Sequence, residues 1–198
     1  QGYLPVVVAE WNHERLACRE TIFGWSEAMS PEKELYAYCR LRVSNQAARE
    51  KEVSIALRFA PADVVKKSLR KDLRVAGRGA AEVCFRIALP LQAASASEVD
   101  AGEFEQRLDE VKRSWAAIVN SGMVVHTPEA RVNDACRAWL VYNYLDVDKK
   151  GKVYEPHDGA GFYEQVYGYS AALYCHALDL WGRHEDSRRY LESLLTFL

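Results

Sequence analysis

Neither sign of charge is in marked excess in this sequence. Its 198 residues include 26 Lys and Arg against 28 Asp and Glu, which gives a formal net charge of −2 at pH 7. A chain this balanced has no overall attraction for nucleic acid or for an anionic membrane surface. Long hydrophobic runs are also missing, since stretches such as Val6–Ala9 are far shorter than the ~20 residues of a membrane-spanning helix. We therefore expect no nucleic-acid partner and no membrane partner, and the sequence assigns no cellular compartment.

Closely spaced cysteine pairs are absent as well. The chain has 5 cysteines, and no two of them form a Cys-x-x-Cys pair. Their odd number, wide spacing and apolar neighbours favour buried free thiols. One disulfide stays open as an alternative, because Cys18, Cys39 and Cys84 all lie in predicted strands.

Motifs for phosphate, dinucleotide and hydrolase sites are missing, so these function classes have no support. The segment that begins at Asp146 matches part of a calcium-binding loop, but Lys150 and His157 occupy positions that require carboxylate ligands. Glu155, His157 and Asp158 are too close together on one loop to chelate a metal ion well. We expect no cofactor and no metal site.

The first 96 residues have the period of β-strands. In Leu35–Val43, aliphatic residues alternate with Tyr and Arg, which predicts one aliphatic face and one wet face. Val53–Phe59 and Val83–Leu89 repeat this alternation, and Tyr3–Ala9 and Leu16–Phe23 are further candidates. Several short strands at this spacing predict an antiparallel β-sandwich over residues 1–96.

Residues 97–198 have the period of helices, so the expected fold class is α+β. Asp100 and Glu103 form a capping box for a linker helix that ends near Gly122. A second helix is predicted to open at Thr127-Pro128-Glu129. A polar turn at 146–151 and a loop at 152–161 follow, and then two helices at 162–181 and 184–198.

The predicted helix at 162–181 is apolar almost all round, which indicates that other helices enclose it. The sequence also stops on apolar residues 194–198. We expect a piece of a longer protein, truncated at residue 198, whose remainder would be the main partner of these helices. A complete small protein that dimerises through the same faces is the alternative. Exposed apolar faces also predict that the chain alone self-associates.

The segment 151–169 combines tyrosines and carboxylates with glycines and a proline, a mixture that binds sugars. Aromatic faces cover the C–H faces of a pyranose, and carboxylates accept hydroxyl hydrogens. The candidate carbohydrate-binding residues are Tyr154, Asp158, Tyr163, Glu164 and Tyr167. The structural alternative is that Asp158 caps the next helix and the tyrosines pack. No acid and base pair can be placed among these carboxylates, so we assign no catalytic residue.

The order of parts resembles the six-hairpin glycosidases, in which a β-sandwich often precedes an (α/α)6 toroid. The resemblance rests on Trp139–Tyr144, on the Asp158-Gly-x-x-Phe-Tyr163 loop, on Tyr167-Gly-Tyr169 and on segments 177–182 and 190–195. It implies that 127–146 is the first outer helix and 162–181 the first inner helix. It also implies that Asp158, Tyr163 and Tyr167 contact sugar, and that the catalytic carboxylates belong to later hairpins, which this sequence lacks.

The leading hypothesis is therefore the N-terminal portion of a carbohydrate-active enzyme, a glycoside hydrolase that acts on an oligo- or polysaccharide. Phosphorolysis and lyase chemistry fit the resemblance equally. The alternative is a noncatalytic carbohydrate-binding or protein-interaction module. A third possibility is a β-plus-α domain whose aromatic loop only packs.

Overall fold

The computed structural model describes residues 2–57, 69–89, 96–159 and 165–197. It is a mixed α+β structure with a five-stranded antiparallel sheet and, in the described ranges, four α-helices, which confirms the predicted class. The chain divides into two compact units, Pro5–Lys112 and Gln1–Leu4 with Arg113–Leu198. This division lies inside the first α-helix, whereas the sequence analysis assigned that whole helix to the second domain.

The unit Pro5–Lys112 contains all strands of the main sheet. Its strands are β1 Val6–His13, β2 Leu16–Ser26, β3 Leu35–Asn45, β4 Lys51–Leu57, β5 Leu69–Val75, β6 Ala80–Leu89 and β7 Ala96–Val99. The five-stranded sheet has the order β1-β2-β3-β6-β7, and β4 and β5 form a second, two-stranded sheet. Every pairing is antiparallel.

The aliphatic face predicted for β3 forms a core with the two-stranded sheet. Both sheets contribute buried side chains, and burial of each such side chain stabilises the fold by about 1.5–3 kcal/mol. The members of this core are Leu16, Val43, Ile55, Val75, Val83 and Phe85. The alternation in the sequence therefore identified this face correctly.

The opposite face of β3 was predicted to be wet, and this prediction is wrong at one end of the strand. Tyr38 is fully buried there, and its ring stacks on Phe23 at a centroid distance of 5.4 Å. Phe104 of the following helix packs edge-on against Phe23 at 5.1 Å. The Tyr38 hydroxyl donates a 2.8 Å hydrogen bond to Oε1 of Glu103, which satisfies the polar end of a buried ring.

Helix α1, Ala101–Asn120, contains Phe104 and covers this end of the sheet. The backbone N–H of Glu103 donates to Oδ1 of Asp100 at 2.8 Å, which confirms Asp100 as the helix cap. After the helix, a Cβ atom on Gly122 would lie 2.1 Å from the carbonyl oxygen of Trp181. Only glycine fits this close approach.

The other unit contains the remaining helices and a hairpin. Its elements are α2 Ala130–Leu145, β8 Val147–Lys150, β9 Val153–Pro156, α3 Gly168–Leu180 and α4 His184–Leu194, followed by a 3-10 turn at Leu195–Phe197. Their core consists of Leu140, Cys175, Leu178 and Tyr190. The five cysteines are free thiols, as predicted. Cys39, Cys84 and Cys175 are buried, whereas Cys18 and Cys136, which were also expected to be buried, are only half-buried.

Three predictions in this unit differ from the structure. Residues 147–156 form a hairpin with Gly151 at φ 65°, where a polar turn and a loop were expected. Helix α2 begins at Ala130, and its N-cap residue Glu129 makes no side-chain cap bond. Thr127, the predicted cap, is hydrogen-bonded to Asn133 instead. Helix α3 begins at Gly168, whereas the predicted helix begins at residue 162. Residues 165–167 are not helical, and residues 160–164 lie outside the described ranges.

Candidate functional site

Tyr154, the first of the predicted sugar-binding residues, is half-buried and packs against the core of the helical unit. Its ring is 5.8 Å from the ring of Tyr190, and the Arg189 guanidinium lies 5.4 Å from its centroid. Its backbone N–H donates to Oγ of Ser193 at 2.9 Å. These contacts favour the packing alternative for this residue.

Asp158 and Tyr167 lie at the surface on either side of the segment that leads to α3. Asp158 is exposed just after β9, and Tyr167 is 40% exposed. The N-cap residue of α3 is Tyr167 and not Asp158, so the capping role considered for Asp158 is not observed. The predicted residues Tyr163 and Glu164 lie outside the described ranges.

Two tyrosines converge on one aspartate between the end of α2 and helix α3, and a second aspartate acts on one of these tyrosines electrostatically. The hydroxyl of Tyr174 donates a 3.3 Å hydrogen bond to Oδ2 of Asp146. Burial and then the charge of Asp146 raise the pKa of Tyr174. Burial, Asp146 and, more weakly, Asp158 raise the pKa of Tyr142. We call Tyr142, Asp146, Asp158 and Tyr174 the tyrosine–carboxylate cluster.

The cluster is accessible from solvent. Tyr142 is 45% exposed, and Asp158 is exposed. Apolar ring faces next to paired carboxylates can cover a sugar ring and accept hydrogen bonds from its hydroxyls. The arrangement is therefore suited to a neutral polyhydroxylated ligand.

A cavity of about 960 Å³ is lined by Lys150 and Glu155 of the hairpin and by His157, which follows it. His157 is buried, and its Nε2 atom has no hydrogen-bond partner among the described residues. This atom lies 3.7 Å from Oε2 of Glu155, which also accepts a 2.5 Å hydrogen bond from Nζ of Lys150. The bond from Lys150 holds the pKa of Glu155 below its usual value. Polar lining residues include Gln165, Asp179, His184 and Arg188.

One backbone hydrogen bond links the cluster to the cavity. The N–H of His157 donates to the carbonyl oxygen of Asp146 at 2.8 Å. The hairpin thus fixes the positions of both residues. Sequence reasoning missed this relationship, because residues 153–157 do not alternate strictly between apolar and polar side chains.

No group of three or more His, Cys, Asp or Glu side chains in the described ranges is placed to hold a metal ion. None of the described helices is long and apolar enough to cross a bilayer. The chain matches no protein-family model, no curated protein and no solved structure.

Proposed function

We propose that this chain is part of a carbohydrate-active enzyme, a glycoside hydrolase of the six-hairpin type, and that the tyrosine–carboxylate cluster contacts the saccharide. The observation that carries the proposal is the convergence of Tyr142 and Tyr174 on Asp146, and the exposed Asp158 adds a weaker electrostatic effect on Tyr142. This combination of ring faces, hydroxyls and carboxylates matches the chemistry of a pyranose.

The order of elements supports the same proposal. Antiparallel sheets come first, then the long helix α1, and then α2, a hairpin and α3. In a β-sandwich followed by an (α/α)6 toroid, α2 would be the first outer helix and α3 the first inner helix. The cluster lies where these two helices are joined, which is the rim on which such an enzyme would bind its substrate.

Within this proposal the cluster binds and orients the sugar. The acid that protonates the leaving oxygen and the base that activates water or phosphate are assigned to later hairpins of the enzyme. Asp146 is held by a tyrosine hydroxyl, which suits a carboxylate that accepts hydrogen bonds from sugar hydroxyls.

Saccharide binding by the purified chain tests the proposal. Saturation-transfer NMR over a panel of neutral oligosaccharides should detect saturable binding. Asp158→Ala should weaken this binding, because it removes an exposed acceptor of the cluster. Asp148→Ala is the matched control, since Asp148 is an exposed carboxylate of the same hairpin. Equal weakening by both variants, or no saturable binding to any sugar of the panel, would rule out the cluster as a sugar site.

A noncatalytic interaction module is the second candidate. Exposed apolar side chains on α2 and α3 favour it, because large exposed apolar patches mark interaction surfaces. These residues are Val132, Trp139, Leu145, Leu173 and Leu180. Sedimentation of the chain with and without the panel sugars separates the two candidates. Self-association without any sugar binding would favour the interaction module.

A further inference from the structure

A second polar cavity lies in the other unit, on the face of the five-stranded sheet that also carries Tyr38. Helix α1 contacts this face at the Tyr38 end, and the cavity lies toward the opposite end of β2 and β3. Its volume is about 590 Å³. We call this cavity the arginine groove. The lining residues that matter here are Glu10, Arg19, Thr21, Arg40, Arg42 and Ser44.

The strand register places two arginines directly opposite each other in the groove. Arg19 of β2 pairs with Arg42 of β3. Residues opposite each other in an antiparallel pair have Cβ atoms about 4.5–5.5 Å apart, and like charges in this position are destabilising. Two like-charged side chains thus leave neighbouring strands at the same level, at a cost to the fold.

Acidic side chains offset only part of this charge. Glu10 lies 3.6 Å from Arg19, and both side chains are mostly exposed, so the pair contributes little. Glu82 is the register partner of Arg42 on β6. Glu82 does not form an ion pair with Arg42, and neither does any other described residue. The Arg42 side chain is exposed and so is accessible to a ligand.

A third arginine is fixed at the border of the groove by α1. Arg40 pairs with Glu105, and its guanidinium carbon lies 4.5 Å from the centroid of the Phe104 ring. Its side chain is only 20% exposed. Contacts from two directions hold Arg40 in one position, which lowers the entropy cost of binding a ligand. The hydroxyl residues Thr21 and Ser44 line the same cavity.

We infer that the arginine groove is a binding site for the oxyanion group of a ligand, and that Arg19 and Arg42 hold this group between them. Planar guanidinium forks bind carboxylate, sulfate and phosphate through paired hydrogen bonds. A bound oxyanion would also relieve the repulsion between the two arginines. The shared chemistry fits either a free inorganic anion or an acidic sugar, and the inference does not depend on the proposed carbohydrate enzyme.

Titration of the full chain with inorganic phosphate, sulfate and glucuronate tests the inference, with glucose as the neutral comparison. Isothermal calorimetry should show saturable binding of at least one anion, and NMR amide shifts should change at Arg19 and Arg42. Arg42→Gln should weaken this binding by at least about tenfold, because it removes charge-assisted hydrogen bonds. Arg74→Gln is the matched control, since Arg74 is an exposed arginine of β5 that pairs with Glu52.

Thermal unfolding gives a second readout that does not depend on calorimetric heats. The bound anion should raise the melting temperature of the wild type and of Arg74→Gln, but not that of Arg42→Gln. Binding of glucuronate alone supports an acidic sugar as the source, and binding of phosphate or sulfate supports an inorganic anion. Equal effects of the two substitutions, or no saturable binding of any of the three anions, would overturn the inference.

Discussion

The indole Nε1–H of Trp25 donates a 2.8 Å hydrogen bond to Oε2 of Glu110 and so joins strand β2 to helix α1. The Arg107 guanidinium lies 4.3 Å from the centroid of the same indole ring, and its NH1 donates to Glu110 at 3.0 Å. The Glu110 carboxylate also accepts a hydrogen bond from Gln106 of its own helix. The bond from Trp25 and the stacking of Arg107 on the indole ring are the contacts that join the helix to the sheet.

Glu110→Ala should lower the free energy of unfolding by about 1–2 kcal/mol, because it leaves the indole N–H and the guanidinium without their acceptor. Urea unfolding measures this loss, and the Trp25 indole signal should shift in the NMR spectrum. Asp109→Ala, at a mostly exposed neighbouring position of α1, should cost less than about 0.5 kcal/mol. Equal losses in the two variants would argue against the bond between helix and sheet.

The cap of the same helix gives a separate prediction. Asp100→Ala should destabilise the chain by about 1 kcal/mol, because the N–H of Glu103 loses its side-chain acceptor. Asp100→Asn should keep most of the stability, since the amide oxygen can accept the same hydrogen bond. Chemical unfolding of the three proteins tests this, and a loss of equal size in both variants would show that charge matters here rather than capping.

The sequence predicted four of the five strands of the main sheet, but it predicted neither β7 nor what covers the second face of the sheet. Alternation in β3 shows which residues share a face, and it cannot show whether a distant helix contacts that face. Tyr38 is amphipathic, so it suits both a wet and a buried position. Its burial depends on Phe104 and Glu103, which are far along the chain and become neighbours only in the folded state.

The hairpin at 147–156 escaped prediction for a related reason. Asp and Lys are depleted in strands, so Asp148, Lys149 and Lys150 indicated a turn. The pairing of β8 with β9 is supported by the contacts of Tyr154 with Tyr190 and Arg189 of α4. The candidate site was predicted in part: Asp158 was named from the loop composition. Asp146 and Tyr174 come from separate elements, and only tertiary structure places them together.

The buried thiols should be inert in the folded chain. Burial, followed by the charge of Glu20, raises the pKa of Cys39 to about 12, and burial raises the pKa of Cys84 and Cys175 to about 11. The thiolate is the reactive form, so alkylation at pH 8 should leave these three unmodified until urea is added. Peptide mapping by mass spectrometry checks this, and modification of Cys39 in the native chain at the rate of a free thiol would contradict it.

The carboxylate beside the large cavity should make stability depend on pH. The hydrogen bond from Lys150, with a smaller contribution from His157, lowers the pKa of Glu155. The pKa of a Glu side chain in an unfolded chain is about 4.3. A group with a lowered folded pKa contributes stability above its unfolded pKa and loses it as pH falls through the folded value.

The wild type should therefore be more stable than Glu155→Gln at pH 7, and the difference should shrink as the pH falls below about 4.3. Urea unfolding at several pH values measures the difference. Glu52→Gln, on strand β4, controls for the loss of a surface carboxylate. Protonation at acid pH removes the ionised form of Glu155 and with it any stabilisation by Lys150. A difference in unfolding free energy that stays constant, or that grows toward acid pH, would therefore mean that Lys150 does not stabilise the ionised form.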